Sequence, residues 1–493
     1  MLNQIPIPFA LVLGSLLVQT TSAKDVTLPR SHPEAQGVAS SAVLSFIEAL
    51  DQLDAMNSVM ILRHGHVIAE GWWEPYGPET RHELYSLSKS FTSTAVGFAV
   101  SERSLSIDDE VLSFFPDDAP SQSTNNLKAM RVRDLLTMSA GHQDETSSAA
   151  DKISPKAFLA HPVPHKPGTH FRYNTPATFM LSAIVQKKTG QTVLDYLQPR
   201  LFEPLGIAGP VWNTNWQGIS LGGYGLSVRT EDIARFGQLY LQKGKWDGKQ
   251  LIPAEWVELA TSRQVSNGSN PQSDWEQGYG FQFWRCRHNA YRGDGAFGQY
   301  CLVLPEQDTV LAITSGLKDM QGVLNIVWDK LLPALRPTHL LGDAAGREQL
   351  KRKLAGLKVK TAEGAATSPI AANVFGRKFS FPTNDQNLES ITLTKDSSGD
   401  LIATTTVAGR TATIGLGFEK WLRSRGSLGV YKDALLAGSA AWTSDDTLTL
   451  KLCAYETPFY TTWKLRFDGE QVFLNAENNV GFGSTKRPQL TGR

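Results

Sequence analysis

The stretch Ser86-Leu87-Ser88-Lys89 constrains this chain more than any other feature, because it places a hydroxyl and an amine three residues apart at the head of an apolar segment. Residues i and i+3 of a helix share a face, so the two side chains would meet there. A serine hydroxyl is a weak nucleophile until a neighbouring base takes its proton, and a desolvated lysine can be that base. The spacing therefore predicts a nucleophile and its activator on one helical turn.

The residues that follow Lys89 favour this interpretation. Phe91, Ala95 and Phe98 recur at helical spacing with small residues between them, which predicts a buried and closely packed helix. The alternative is that Ser86 caps this helix and that Lys89 is an ordinary solvated lysine of its first turn. Residues 86–89 alone do not distinguish a catalytic pair from a cap and a solvated lysine, so other parts of the chain have to decide between these interpretations.

Length, charge and the N-terminal residues limit the domain count, the class of ligand and the cellular location that the chain can have. The chain has 493 residues, which predicts two or three domains. Its 48 basic and 48 acidic residues balance, so it lacks the excess of positive charge that is typical of nucleic-acid-binding proteins. An apolar run at residues 5–19 is followed by small residues, which predicts a signal peptide at 1–23 and export to the periplasm or the medium. The run is too short to span a bilayer, so no stable membrane insertion is expected. The alternative is an apolar tail on a cytoplasmic protein.

The pattern of predicted elements divides the mature chain into three parts. Residues 24–340 have strands at both ends around a helical middle, which favours an α+β domain with helices packed on an antiparallel sheet. Residues 341–372 form a short helix and a linker. Residues 373–493 contain several short alternating strands, which predict an all-β barrel or sandwich. The aromatic residues of this last part fit a ligand surface or an ordinary core equally well.

Two further segments carry chemistry of the kind that Ser86 would need. A Pro-Gly turn precedes Tyr173, whose hydroxyl could shuttle a proton if it lay near a lysine. The glycine-rich stretch 293–299 would let a substrate approach a strand edge, and the backbone N–H groups of Ala296 and Ser86 could then form an oxyanion hole. The alternatives are a tyrosine packed at a loop–helix junction and a common glycine-rich hairpin.

Taken in this order, the three segments resemble the serine β-lactamase-like hydrolases. That superfamily includes class C β-lactamases, penicillin-binding carboxypeptidases, esterases and 6-aminohexanoate-dimer hydrolases. Supporting stretches at 105–116, 131–141, 222–226 and 232–256 are also similar to it, so the resemblance covers about residues 35–335. The forms Tyr173-Asn174-Thr175 and Gly295-Ala296-Phe297-Gly298-Gln299 are most similar to the 6-aminohexanoate-dimer hydrolase branch. The resemblance implies a β-lactamase-like domain with a helical subdomain.

The resemblance also implies roles, position by position. Ser86 would be the acylated nucleophile, Lys89 and Tyr173 would exchange protons with it, and Ser86 and Ala296 would supply the oxyanion N–H groups. Which of Lys89 and Tyr173 is the resting base stays open. The substrate would be a small-molecule ester or amide, no cofactor is implied, and water would release the acyl group. Further substrate-binding candidates are Thr175, Asp294, Gly295 and Phe297.

The chain departs from class C enzymes at two of these positions. Thr175 stands where they carry asparagine, and Gly293-Asp294-Gly295 stands where they carry a Lys-Thr-Gly triplet whose lysine helps to hold a substrate carboxylate. Without that cation, neutral or cationic esters and amides are expected rather than carboxylated β-lactams. A β-lactamase or D,D-peptidase, and an inactive binding or scaffold protein of the same fold, are the alternatives.

Histidine and cysteine give weaker signals. His64 and His66 flank Gly65 in a predicted hairpin with no third ligand near in sequence, so no metal site is predicted. Cys286 and Cys301 flank a predicted strand–turn–strand and could form a disulfide or stay unpaired. The third cysteine, Cys453, lies in an alternating strand and is expected to be a buried thiol.

Overall fold

The computed structural model describes residues 27–493, and the predicted signal peptide at 1–23 lies outside that range. Its central element is a six-stranded sheet in which every paired neighbour is antiparallel. Among residues 27–493, no helix combines the length and the apolarity needed to cross a bilayer. From one edge to the other, the strands of the central sheet are His66–Trp72, Met56–Arg63, Thr309–Ser315, Gln299–Leu304, Tyr291–Gly295 and Trp284–Arg285.

Both faces of the central sheet are covered, because its inner strands are apolar on both sides. In strand Met56–Arg63, Met60 and Leu62 enter one hydrophobic core, whereas Val59 and Ile61 enter the other, as the two-residue period of a strand requires. The second core is covered by helices Ser40–Asp51, Met320–Ile326 and Ala344–Ala355, and the first by helices Ser88–Ser101, Thr230–Leu241 and Ala254–Thr261.

A helical subdomain completes the first core and contains the Tyr173 segment. Its longest helix, Thr175–Thr189, begins where the Asn174 side chain accepts the N–H of Ala177 and ends at Gly190, which has a φ of 72°. Its other helices are short: Asn125–Ala129, Val132–Leu136, Pro155–Leu159, Val193–Leu197 and Glu203–Leu205. Two small sheets border it, formed by His82–Glu83, Val211–Trp212 and Leu226–Val228, and by Lys245–Trp246 and Lys249–Gln250.

The segment predicted as helix and linker is attached to the domain before it. Leu350 and Leu357 are buried in the second core, and Lys353 forms an ion pair with Asp51 of helix Ser40–Asp51. The segment then runs through helix Ala371–Val374 into the C-terminal strands. The boundaries at 340 and 372 stay a prediction.

The C-terminal region is all-β, as predicted, and its two sheets close into a barrel. Gly417 exchanges backbone hydrogen bonds with Gly438 and Ala440 at one seam, and Ser380 does so with Arg493 at the other. One sheet consists of Lys378–Ser380, Leu388–Lys395, Leu401–Val407 and Arg410–Leu416; the other consists of Leu422–Leu428, Tyr431–Ser444, Thr447–Ala454, Tyr460–Asp468, Gln471–Asn478 and Leu490–Gly492. We call this unit the C-terminal barrel.

The pattern of apolar residues predicts strands at Ala296–Leu304 and Tyr279–Trp284, and both differ from the strands observed. The prediction of one strand from Ala296 to Leu304 is wrong, because Phe297 and Gly298 adopt φ values of 69° and 95° and turn the chain between two strands. Only the end of the predicted strand Tyr279–Trp284 is a strand, since Gln282 has a φ of 66°. Ala296 therefore lies at a hairpin turn, immediately after a strand end.

The three cysteines are unpaired and buried, so the disulfide considered for Cys286 and Cys301 is absent. The reason is that the two thiols lie on opposite faces of the central sheet, Cys286 in the second core and Cys301 in the first. Cys453 is buried, as predicted.

We expect three reactive thiols in unfolded protein that has never met a reductant, because all three cysteines are free. In the native protein, burial should keep the same thiols slow to react. Thiol titration with and without guanidinium chloride checks this. A count of one thiol in the unfolded, non-reduced protein would contradict the structure.

Candidate active site

Ser86 sits in a tight turn at the head of helix Ser88–Ser101. The turn Tyr85–Leu87 is a 3₁₀ turn, and Tyr85 has a φ of 48°, which is uncommon for a bulky residue. The Ser88 hydroxyl accepts the backbone N–H of Leu226 at 3.2 Å, which ties the helix to strand Leu226–Val228. Ser86 is partly exposed while the next four residues are buried, so the turn presents this hydroxyl at the edge of a buried helix.

The structure brings the Lys89 amine to the Ser86 hydroxyl. Lys89 Nζ lies 2.9 Å from Ser86 Oγ, donates to the carbonyl oxygen of Gly223 at 2.8 Å and lies 3.4 Å from Thr175 Oγ1. Lys89 is only 1% exposed. The solvated-lysine alternative is therefore wrong: this lysine is buried and directed at the serine.

Burial changes the proton affinity of that amine. Desolvation lowers the pKa of Lys89 from its ordinary 10.5 to about 7, and the nearby carboxylates of Glu145 and Asp294 oppose the decrease. A substantial fraction of Lys89 is thus neutral near pH 7. A neutral amine 2.9 Å from a hydroxyl has the geometry and the proton affinity of a general base.

Tyr173 lies on the other side of the same amine. Lys89 Nζ is 4.9 Å from the centre of the Tyr173 ring, and that ring stacks on Trp284 with 5.2 Å between centroids. Burial raises the pKa of Tyr173 well above its ordinary value, and a hydrogen bond with the Ser86 side chain opposes the increase. Tyr173 therefore keeps its proton at neutral pH, with its ring beside the Lys89 amine.

Strand Tyr291–Gly295 passes close to helix Ser88–Ser101, and its two glycines, Gly293 and Gly295, make that approach feasible. A Cβ atom on Gly293 would lie 2.4 Å from Ser90 Oγ, and one on Gly295 would lie 2.0 Å from the Leu84 carbonyl oxygen. The space at both glycines is thus occupied by protein atoms, whereas the sequence analysis predicted that a substrate would approach there. The same approach brings Ala296, which follows Gly295, beside the Ser86 turn.

Asp294 differs from what its sequence position suggested. Its carboxylate accepts the Arg292 Nε–H at 2.8 Å, and both side chains are buried, with exposed fractions of 0% for Arg292 and 6% for Asp294. The negative charge of Asp294 is therefore compensated within the protein. The expected preference for cationic substrates loses its basis, because it assumed a free carboxylate at this position.

Several contacts of the site were not found by sequence reasoning. The Gly223 carbonyl lies in a glycine-rich stretch that had been noted only for its resemblance. Glu145 accepts the backbone N–H of Thr175 at 2.9 Å and comes from an irregular loop without a pattern. Trp284 and Arg292 belong to strands whose cross-strand partners the sequence does not specify. The available signal was the resemblance of residues 222–226, and it covered only Gly223.

His64 and His66 stand at the two ends of the hairpin turn around Gly65, which has a φ of 75°. His64 Nδ1 contacts Gln36 Oε1, and His66 Nδ1 contacts the His64 carbonyl oxygen. In residues 27–493, no group of three or more His, Cys, Asp or Glu side chains is arranged to hold a metal ion.

Comparison with known proteins identifies the first domain. A family model described as Beta-lactamase matches residues 46–324, a range that contains Ser86, Lys89 and Tyr173. The 6-aminohexanoate-dimer hydrolase of Paenarthrobacter ureafaciens is 24% identical over 331 residues, which cover 62% of this chain and 84% of that protein. A D-aminopeptidase of Brucella anthropi is 25% identical over 182 residues, covering 34% of this chain and 35% of that protein.

Among solved structures, the octameric penicillin-binding protein homologue from Pyrococcus abyssi aligns with 92% of this chain and 99% of its own. Its sequence identity to this chain is 16% and its TM-score is 0.47.

The Lys89 pKa predicts a pH-dependent term in stability. Its folded value of about 7 lies below the ordinary 10.5, so between these pH values the unfolded chain binds more protons and stability should increase with pH. Relative to Lys89→Met, the wild type should gain on the order of 2 kcal/mol in free energy of unfolding from pH 7 to pH 9.

Urea denaturation of both proteins at the two pH values measures this difference. Lys187→Met, at an exposed position of helix Thr175–Thr189, is the control and should follow the wild type. Parallel pH dependence of the wild type and Lys89→Met would contradict a depressed pKa at Lys89.

Proposed function

The chain belongs to the Beta-lactamase family, and on that premise we propose that it hydrolyses an ester or amide bond through an acyl-enzyme formed on Ser86. The observation that carries the proposal is the 2.9 Å approach of Lys89 Nζ to Ser86 Oγ at a position where burial lowers the pKa of the lysine to about 7. The family consists of serine hydrolases, and this contact supplies the base that a serine nucleophile needs.

In the acylation step, neutral Lys89 takes the proton of Ser86 as Oγ forms a bond to the substrate carbonyl carbon. Two fixed acceptors, the Gly223 carbonyl and Thr175 Oγ1, receive the N–H groups of Lys89 and leave its lone pair directed at Ser86. Because burial raises the pKa of Tyr173, we propose Lys89 rather than Tyr173 as the resting base at neutral pH. The negative charge that develops on the carbonyl oxygen would be stabilised by the N–H groups of Ser86 and Ala296.

The leaving group then departs with a proton. As the carbonyl re-forms and the bond to the alkoxide or amine breaks, Tyr173 donates its hydroxyl proton to the leaving atom and recovers one from the Lys89 ammonium. The position of the Lys89 amine near the Tyr173 ring supports this exchange. Water subsequently attacks the acyl-Ser86 ester while neutral Lys89 accepts its proton. That proton passes to Ser86 Oγ as the bond from Oγ to the acyl carbon breaks, and the free acid leaves.

The charges around the site support a neutral substrate. Arg292 and Asp294 neutralise each other in the interior, and the triplet Gly293-Asp294-Gly295 carries no lysine. No cation on this strand is therefore free to hold the carboxylate of a β-lactam or of a D-Ala-D-Ala stem. We accordingly propose a carboxylesterase or amidase rather than a β-lactamase or D,D-peptidase.

We also propose that the protein is exported. The support is the apolar run at residues 5–19 with the small residues Thr20-Thr21-Ser22-Ala23 after it. The N-terminal sequence of the mature protein, taken from a host that secretes it, tests this; an intact Met1 in a cytoplasmic fraction would contradict it.

Kinetics of single and double variants test the mechanism. Ser86→Ala and Lys89→Ala should each reduce kcat for p-nitrophenyl butyrate by at least about a thousandfold, because each removes one half of the nucleophile–base pair. The double variant should be little worse than either single variant, since the two groups act as a unit. On the same samples, nitrocefin turnover should be far lower than ester turnover.

Three outcomes would contradict the proposal. Additive losses in the double variant would mean that the two residues do not cooperate in one step. Efficient nitrocefin hydrolysis with little ester hydrolysis would favour the β-lactamase alternative, and no turnover or serine labelling by folded protein would favour an inactive scaffold.

A further inference from the structure

The C-terminal barrel contains a cavity that the proposed mechanism does not use. Its volume is about 750 Å³, within the range of about 300–1,000 Å³ found for small-molecule sites. The wall is formed by strands of both sheets of the barrel, and its apolar part includes Leu388, Val407, Leu452, Trp463, Ala476 and Val480. A cavity of this size and lining suits an apolar chain.

The mouth of this cavity is built from the same aromatic residues that pack beside the catalytic serine. Phe459 and Phe482 both line the cavity. Their ring centroids lie 6.3 Å and 5.9 Å from that of Tyr85, and 5.4 Å and 4.9 Å from that of Phe297. Since Tyr85 immediately precedes Ser86, the cavity and the catalytic turn share one aromatic wall.

The barrel is fixed to the first domain at this mouth. The backbone N–H of Glu83 donates to the Glu456 carbonyl oxygen at 2.9 Å. Asn479 Nδ2 donates to the Gly316 carbonyl oxygen at 3.0 Å, and Tyr76 donates to that of Thr457 at 2.9 Å. These bonds join the two barrel loops that carry Phe459 and Phe482 to the first domain, and one of them is made by Glu83, two residues before Tyr85.

The rim of the cavity combines exposed apolar side chains with positive charge. Phe482 and Val430 are 78% and 85% exposed, which is unusual for two large apolar residues at one opening and is typical of a binding site. The charged residues of the lining are three basic and one acidic: Arg410, Lys432, Arg487 and Asp385. An apolar occupant that is neutral or ends in an acidic group is therefore favoured over a cationic one.

We propose that the barrel cavity binds the apolar arm of the substrate, so that the C-terminal barrel selects esters or amides with an extended hydrocarbon chain. This inference rests on the proposed function, because it places the scissile carbonyl at Ser86 and the chain past Tyr85 into the barrel. The contacts among Tyr85, Phe297, Phe459 and Phe482 form a continuous aromatic cluster from the residue before Ser86 to the lining of the cavity. The arm belongs to the acyl side or to the leaving group, and the test separates these sources.

Chain-length kinetics provide the test. For p-nitrophenyl esters from acetate to decanoate, kcat/KM should increase at least about tenfold overall, since each buried methylene contributes up to roughly fourfold. If the arm is on the leaving-group side, the increase should appear instead in a series of n-alkyl acetates. Two variants alter the cavity: Ala476→Phe fills its interior, and Phe482→Ala truncates its exposed rim.

In both variants the ratio of kcat/KM for the longest to the shortest substrate of the responding series should decrease, about tenfold for Ala476→Phe and severalfold for Phe482→Ala. Leu341→Ala, which truncates an apolar side chain that is 95% exposed and does not line the cavity, is the control and should keep the wild-type ratio. Phe482→Ala removes an exposed side chain, so it stays informative if Ala476→Phe fails to fold.

Calorimetric titration of decanoate into Ser86→Ala protein separates this inference from the proposed function. If decanoate binds to Ser86→Ala protein and Phe482→Ala weakens this binding in the same background, the cavity is supported as a binding site even without turnover. Absence of all ester turnover would instead contradict the proposed mechanism. Turnover with a flat chain-length profile in both series, or a ratio unchanged in both variants, would overturn the proposal.

Discussion

The proposed chemistry of this protein depends on the burial of one amine. Lys89 lies on a helix whose following residues are small, and it is closed off between the Ser86 turn, the Gly223 carbonyl and Thr175. Water is thereby excluded from the amine, and its pKa falls to about 7. The partial burial of Tyr173 has the opposite consequence, because burial disfavours its anionic form. In the proposed mechanism, Lys89 is therefore the proton acceptor and Tyr173 the proton donor.

The central sheet makes that site compact. Gly293 and Gly295 allow strand Tyr291–Gly295 to approach the helix closely, and the hairpin turn that follows places Phe297 against Tyr85, the residue before Ser86. A side chain larger than hydrogen at either glycine would push the strand away. The charge that the sequence places between them, at Asp294, is neutralised by Arg292 on the same strand. The site consequently offers close contacts and little net charge, which suits the neutral ester or amide proposed as substrate.

Sequence reasoning predicted the local parts of this arrangement. Helical spacing placed Ser86 and Lys89 together, turn chemistry located Tyr173 at the head of a helix, and alternation identified an all-β region. It failed where distant segments decide the outcome. Whether Asp294 is free depends on Arg292 being directed to the same face and stacked on Trp275. The aromatic contacts of Phe459 and Phe482 with Tyr85 join residues almost four hundred positions apart, and no local pattern encodes them.

The central claim is that buried Lys89, neutral near pH 7, activates Ser86. The most direct measurement is the rate of inactivation by a fluorophosphonate as a function of pH, with the modified residue located by peptide mass spectrometry. The account predicts a single adduct on Ser86 and a rate constant that increases with pH and levels off above about pH 7, as Lys89 loses its proton. Labelling at another residue, or a rate that keeps increasing until the pH approaches the ordinary lysine pKa, would contradict it.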